Sequence, residues 1–127
     1  MPSRLAVIVI DAVDPEVVAG FWCAVLGWSI LDREPGGITI GDEERSWPVI
    51  DVYAVPEAKT TKNRLHLDLR ADGLSTSQEL ERLLAIGARR VDIGQPSDAS
   101  WVVLADPEGN EFCLLSRSVQ QLRPPPS

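Results

Sequence analysis

The chain has 127 residues, 44% of them hydrophobic and 24% charged, which is enough for one domain with a real core and needs no disulfide or metal staple to fold. Nineteen acidic residues against twelve basic ones give a formal net charge of −7. That balance argues against a nucleic-acid partner, whose phosphates call for clustered Lys and Arg, and leaves room for a neutral or cationic small molecule. The first apolar run, Leu5 to Ile10, is too short to span a bilayer and carries no leader-cleavage pattern. Cys23 and Cys113 show no CxxC or secreted-framework spacing, so free thiols in the cytoplasm are expected.

In chain order, Leu5 to Ile10 reads as a buried β-strand. Asp14-Pro15-Glu16 is a helix start: a capping carboxylate, a proline suited to the first helical position, and an acid at the positive end of the dipole. Val18, Phe21, Trp22, Val25 and Leu26 follow at helical spacing, and Gly27 ends the run. Ser29 to Arg33 and Ile38 to Ile40 are short extended pieces about a Gly36-Gly37 turn. Trp47 to Val55 is a further strand, closed by Pro56, and Pro56 to Asn63 reads as an exposed polar connector.

The order then repeats. Leu65 to Arg70 alternates apolar and polar, as a half-buried strand does. Thr76 with Glu79 fits a capping box, Leu80, Leu83, Leu84 and Ile86 supply a helix face, and Gly87 ends it. Arg89 to Ile93, Trp101 to Ala105 and Glu111 to Ser116 read as strands, with Asp106-Pro107-Glu108-Gly109-Asn110 a dense turn signal before the last. Residues 119–127 read as a disordered tail. Leu5 and Leu65, Gly27 and Gly87, and Asp14 and Asp72 recur at nearly one offset, which points to an internal duplication. The expected fold class is α+β, with two βαβββ modules, about 4–56 and about 64–117, in a single domain over 1–118.

The segments DAVDPEVVAGFWCAVLGW, VPEAKTTKNRLHLDLR, LLAIGARRV and WVVLADPEGNEFCLL resemble the vicinal oxygen chelate superfamily of glyoxalase I, bleomycin-resistance proteins and extradiol dioxygenases, and most of all its small glyoxalase-like proteins. The resemblance implies a cup-shaped open barrel with a small-molecule ligand inside, and two-fold homodimers among relatives of this size. In metal-dependent members four side chains from the first and last strands of each module hold one divalent ion. Those positions fall here on Val7, near Tyr53, and on His66 and Cys113. Only His66 is a good ligand of the usual kind, so no metal cofactor is expected.

His66, the one histidine, should share a strand face with Asp68 and Arg70, opposite Leu65, Leu67 and Leu69. It is the candidate catalytic residue, as general base, donor or half of a polar pair with Asp68, against the plainer reading of a hydrogen-bonded wall residue. Asp68 suits a cationic ligand group or an ion pair with Arg64 or Arg70. Glu111 and Cys113 should share a face of the last strand, Glu111 as a displaced replacement carboxylate and Cys113 as a lining thiol or a small buried hydrophobe. Trp47, Tyr53 and Trp101 would add aromatic lining. Three functions compete: an enzyme of lyase or isomerase type without the usual metal tetrad, a sequestering protein of bleomycin-resistance type, and a metal-dependent glyoxalase.

Overall fold

The computed structural model describes residues 2–92, 94 and 101–122. The chain divides into two compact units, Met1–Ala58 and Lys59–Ser127.

The first unit runs β1 (Val7–Ala12), α1 (Pro15–Leu26), β2 (Ser29–Glu34), β3 (Gly37–Gly41) and β4 (Val49–Ala54). Its sheet has the order β1-β4-β3-β2, with β1 parallel to β4 and the other pairs antiparallel. α1 starts where the sequence places it: the Asp14 carboxylate accepts from Val17 N–H, Pro15 takes the first position, and Gly27 closes the helix in the left-handed conformation at φ +67°. Val18, Phe21, Trp22 and Val25 are buried, Phe21 and Trp22 meeting edge to face at 5.4 Å. They cover Ile38, Ile40, Ile50 and Val52, the buried face of β3 and β4. Residues of the other parity, Val7, Val9, Thr39, Asp51 and Tyr53, therefore lie on the face without a helix.

The second unit repeats the plan: β5 (Leu67–Leu69), α2 (Thr76–Ala85), β6 (Arg89–Arg90), β7 (Trp101–Ala105), β8 (Glu111–Leu115) and a last turn α3 (Val119–Leu122). Its sheet order is β5-β8-β7-β6, again with the first strand parallel to the last. The shared order and the shared parallel pair confirm the α+β class and the βαβββ plan in each unit. Phe112, Leu114 and Leu104 form the buried side, and Leu83 is the buried residue of α2.

Several expected boundaries move. β1 lies two residues further on than Leu5–Ile10, and Leu5 itself is 63% exposed. β4 begins at Val49, because Trp47 stands before the strand with the Arg4 guanidinium 5.0 Å over its ring. β5 is only three residues, since Asn63 is tied to β8 and the chain enters the sheet late. The capping box of α2 is Ser75 with Gln78, not Thr76 with Glu79: Ser75 Oγ accepts from Gln78 N–H, and Gln78 Oε1 accepts from Ser75 N–H. Glu79 binds Arg82 instead, and Thr76 Oγ1 donates to the Ser116 carbonyl. The matching helix starts are thus Asp14 and Ser75. Asp72 instead accepts from Gln120 Nε2 of α3, and the side-chain carbonyl of Gln120 accepts from Gly73 N–H. Val119–Leu122, placed in the tail by sequence, is that helical turn; Ile93 and residues 123–127 lie outside the described residues.

The connector is not uniformly exposed. Lys59 Nζ donates to Glu111 Oε2 at 2.7 Å, Asn63 N–H to Glu111 Oε1 at 3.0 Å, and Asn63 Nδ2 to Asn110 Oδ1 at 2.9 Å. Asn110 belongs to the turn that fully buried Asp106 organises, accepting from the N–H groups of Glu108 and Asn110 and from Asn110 Nδ2. Gly109, at φ +91°, gives that turn its reversal.

Candidate functional site

The helix-free face of the second sheet collects the polar candidates. Parallel register sets Asp68 beside Cys113, and antiparallel register sets Cys113 beside Val103, so the three form one row across the face. Leu115 and Trp101 form the next row on one side, Glu111 and Ala105 the next on the other. His66 lies two residues before Asp68, and its Nε2 is 3.0 Å from Asp68 Oδ1. Asp68 is thus the centre of a small cluster, because the Cys113 thiol lies within 4.8 Å of both it and His66.

Cys113 is buried, with only 4% of its surface exposed. Burial, then the Asp68 charge and the hydrogen bond to it, push the thiol up to about 11, while the Lys62 ammonium pulls the other way. A thiol in that state is neutral at pH 7 and a poor nucleophile. Glu111 is committed to the connector. Burial works to raise its pKa, but the Lys59 ammonium and the Asn63 N–H outweigh that and hold the carboxyl below its ordinary value.

In the first unit the row equivalent to Val103–Cys113–Asp68 is Thr39–Asp51–Val9. Asp51 therefore holds the place of Cys113, and Tyr53 lies one pleat further along, paired with Gly37 and Asp11. Sequence reasoning missed Asp51 because the first-strand positions, Val7 and His66, are offset by 59, whereas the matching last-strand residues, Asp51 and Cys113, are offset by 62. Thr39 Oγ1 donates to Asp51 Oδ1 at 2.6 Å and Tyr53 Oη to Oδ2 at 3.2 Å. Tyr53 reaches Asp51 by lying over Gly37, where an added Cβ would sit 2.8 Å from the ring. The hydrogen bond to Asp51 and then its charge raise the Tyr53 pKa, so the phenol keeps its proton.

Trp47 and Tyr53 are exposed in the first unit, while Trp101 shares the Cys113 face of the second. A shallow pocket of about 450 Å³ lies elsewhere, by Gly73, Ser75, Ser116 and Gln120 at the start of α2, and none of the sequence candidates line it.

The donor chemistry tests whether the four-residue metal site of the resemblance fits. Val7 has no side-chain donor atom, and Asp51, at the first unit's last-strand place, is a carboxylate already bonded by Thr39 and Tyr53. Cys113 is a thiol where a carboxylate would serve a hard ion. The set does not fit magnesium or manganese, which want oxygen donors. What the described residues do offer is one group, His66, Asp68 and Cys113, whose ligand atoms lie within 4.8 Å of one another.

Comparison with known proteins agrees on the fold. No curated protein sequence matches the chain. A glyoxalase-related enzyme from Fulvimarina pelagi is 22% identical, with a TM-score of 0.62 over 88% of this chain and 86% of that one. A mutant of the fosfomycin resistance protein FosX from Listeria monocytogenes, complexed with Mn(II) and 1S,2S-dihydroxypropylphosphonic acid, is 9% identical, with a TM-score of 0.66 over 95% and 94%. A bleomycin-binding protein complexed with bleomycin is 16% identical, with a TM-score of 0.57 over 91% and 99%. The model of the glyoxalase-like domain family matches residues 7–115, and with that span the chain belongs to the glyoxalase-like family.

Proposed function

We propose that this chain binds a small organic ligand, aromatic or cationic, against the helix-free face of its second sheet, and acts on it as a lyase or isomerase with His66 as acid–base residue. The observation that carries the reading is the 3.0 Å contact from His66 Nε2 to Asp68 Oδ1. With Asp68 beside Nε2, the neutral ring offers its Nδ1 lone pair for a proton, and the carboxylate stabilises the imidazolium that forms. Asp68 orients; His66 meets the ligand; Trp101, on the same face, supplies an aromatic wall. Within the first unit by itself, Trp47 and Tyr53 are the aromatic candidates. Glu111 serves this reading through the connector it holds.

The test is a thermal-shift screen of aromatic amines and neutral aromatic metabolites, with the mixture examined by proton NMR. Stabilisation with conversion, abolished in His66→Ala while the fold is kept, supports the enzyme. Stabilisation with the compound recovered unchanged supports sequestration, the reading favoured by the structural likeness to a protein bound to bleomycin. Turnover of the methylglyoxal–glutathione adduct only after metal addition would support a metal-dependent glyoxalase. The two free cysteines suit a reducing compartment, the cytoplasm in this reading, and no helix among the described residues is long and apolar enough to cross a membrane. A homodimer belongs to the same proposal, supported by the exposed apolar side chains Val7 and Val9 on edge strand β1 and Leu5 just before it, and sedimentation measures it.

A further inference from the structure

The geometry points to a metal site of a different kind from the four-residue one: His66, Asp68 and Cys113 form a three-donor site for a thiophilic divalent cation of the zinc class. One imidazole nitrogen, one carboxylate oxygen and one thiol sulfur lie within 4.8 Å of one another. All three donors belong to a single unit. Cys113 and Asp68 are adjacent across the β5–β8 parallel pair, so their backbone spacing is fixed by the sheet. His66 and Asp68 are exposed, whereas Cys113 is buried on a central strand. Zinc bonds of about 2.0–2.3 Å at tetrahedral angles place donors roughly 3.3–3.8 Å apart. The His66–Asp68 separation of 3.0 Å is already close to that range, and a contraction of about an ångström around the sulfur completes it.

The donor types choose the ion. Sulfur and imidazole nitrogen suit zinc and its congeners, and three protein donors leave a fourth position for water. Magnesium, calcium and manganese would find one carboxylate oxygen where they need a shell of them. Asp68 stands on none of the four positions of the family's usual ligand set, and Val7 contributes nothing.

Protons and charge balance. The thiol proton leaves to solvent, and the imidazole proton moves from Nε2 to Nδ1 so that Nε2 can bind. One proton is released per ion, and a dication meets one thiolate and one carboxylate to give a neutral centre. An ion there takes Asp68 away from its 3.0 Å contact with His66 and occupies the ring, so ion and organic ligand exclude one another. That exclusion rests on the reading of His66 proposed above; the metal site does not.

The experiment is a titration of the full-length chain with cobalt(II), without any organic compound, followed by zinc(II). The expected result is saturation at one equivalent, intense visible bands of a tetrahedral ion, a near-ultraviolet thiolate-to-cobalt charge-transfer band, and bleaching on addition of equimolar zinc. Cys113→Ser should remove the charge-transfer band and Cys23→Ser should leave it. His66→Gln and Asp68→Asn alter exposed side chains, keep the fold, and should each weaken cobalt binding by roughly tenfold or more, the loss that even an outer-shell change brings. A weak octahedral spectrum, a charge-transfer band that survives in Cys113→Ser, or binding unchanged in His66→Gln would each overturn the site. A cobalt spectrum as expected with no organic ligand found, or the reverse, separates this inference from the proposed function.

Discussion

Both cysteines are held as thiols, and for the same first reason. Cys23 is raised by burial alone, Cys113 by burial and then by the carboxylate it faces. Such groups should react slowly with a disulfide reagent. In the folded chain at pH 8, 5,5′-dithiobis(2-nitrobenzoate) is expected to release almost no colour, against two equivalents in guanidinium; rapid release from one thiol would contradict the burial of Cys113. The same shift sets a direction for stability at high pH. The folded Cys113 pKa of about 11 lies above its ordinary value, so the neutral thiol favours the folded state below the ordinary value, and that contribution is lost as pH rises toward 11. Cys113→Ala should flatten this alkaline decline in melting temperature. Asp68 is the partner in question: Asp68→Asn removes the charge that faces the thiol and should quicken its reaction, while Asp68 itself is exposed enough for the fold to survive.

At the scale of elements, two short devices hold the second unit together where its hydrophobic pattern is thin. Ser75→Ala removes one half of the capping box of α2 and should cost about 1 kcal/mol, read as a lower denaturant midpoint at unchanged slope. The connector clasp should cost more. Lys59 and Glu111 have side chains only 19% and 11% exposed, so Glu111→Gln leaves an ammonium with little water and should lose about 1–3 kcal/mol. Because the folded Glu111 pKa is lowered, its contribution is full above the ordinary carboxylate value and lost as pH falls through the folded one. The gap between wild type and variant should therefore narrow as pH falls below the ordinary carboxylate value, and a gap that does not narrow would place the effect in packing. These contacts also mark what the sequence could not tell. Asp14-Pro15 and the Asp106–Asn110 turn are legible because each bonds to backbone within four residues of itself. The Lys59–Glu111 clasp joins residues 52 apart, and no local rule pairs them. Ser75 against Thr76 was a choice between neighbouring hydroxyls, decided by Thr76 reaching Ser116, forty residues away. The His66–Asp68 pair was legible from strand alternation; Asp51 was not, because the two modules differ by three residues between first and last strand.

Across the whole molecule, net charge outweighs any single ion pair. Seven excess negative charges repel one another in the folded chain and relax on unfolding, so repulsion lowers stability at pH 7. Local pairs work the other way: Glu16 with Arg33 at 2.9 Å and Glu79 with Arg82 at 2.7 Å gain from opposite charge and lose it in salt. The Glu16 pair is more than half exposed on both sides and stabilises little, whereas the long-range excess acts through every acidic side chain. Screening should therefore favour the folded state on balance. Raising sodium chloride from about 0.01 M to about 0.15 M shortens the Debye length from roughly 30 Å to roughly 8 Å, enough to silence repulsion across the molecule while contacts at about 3 Å survive. The melting temperature at pH 7 should rise over that range and level off beyond it. Near pH 4.6, where the carboxylates have taken up enough protons for the net charge to vanish, the same salt step should have little effect. A melting temperature that drops with salt at pH 7 would mean that the ion pairs, not the net charge, govern the electrostatics of this fold.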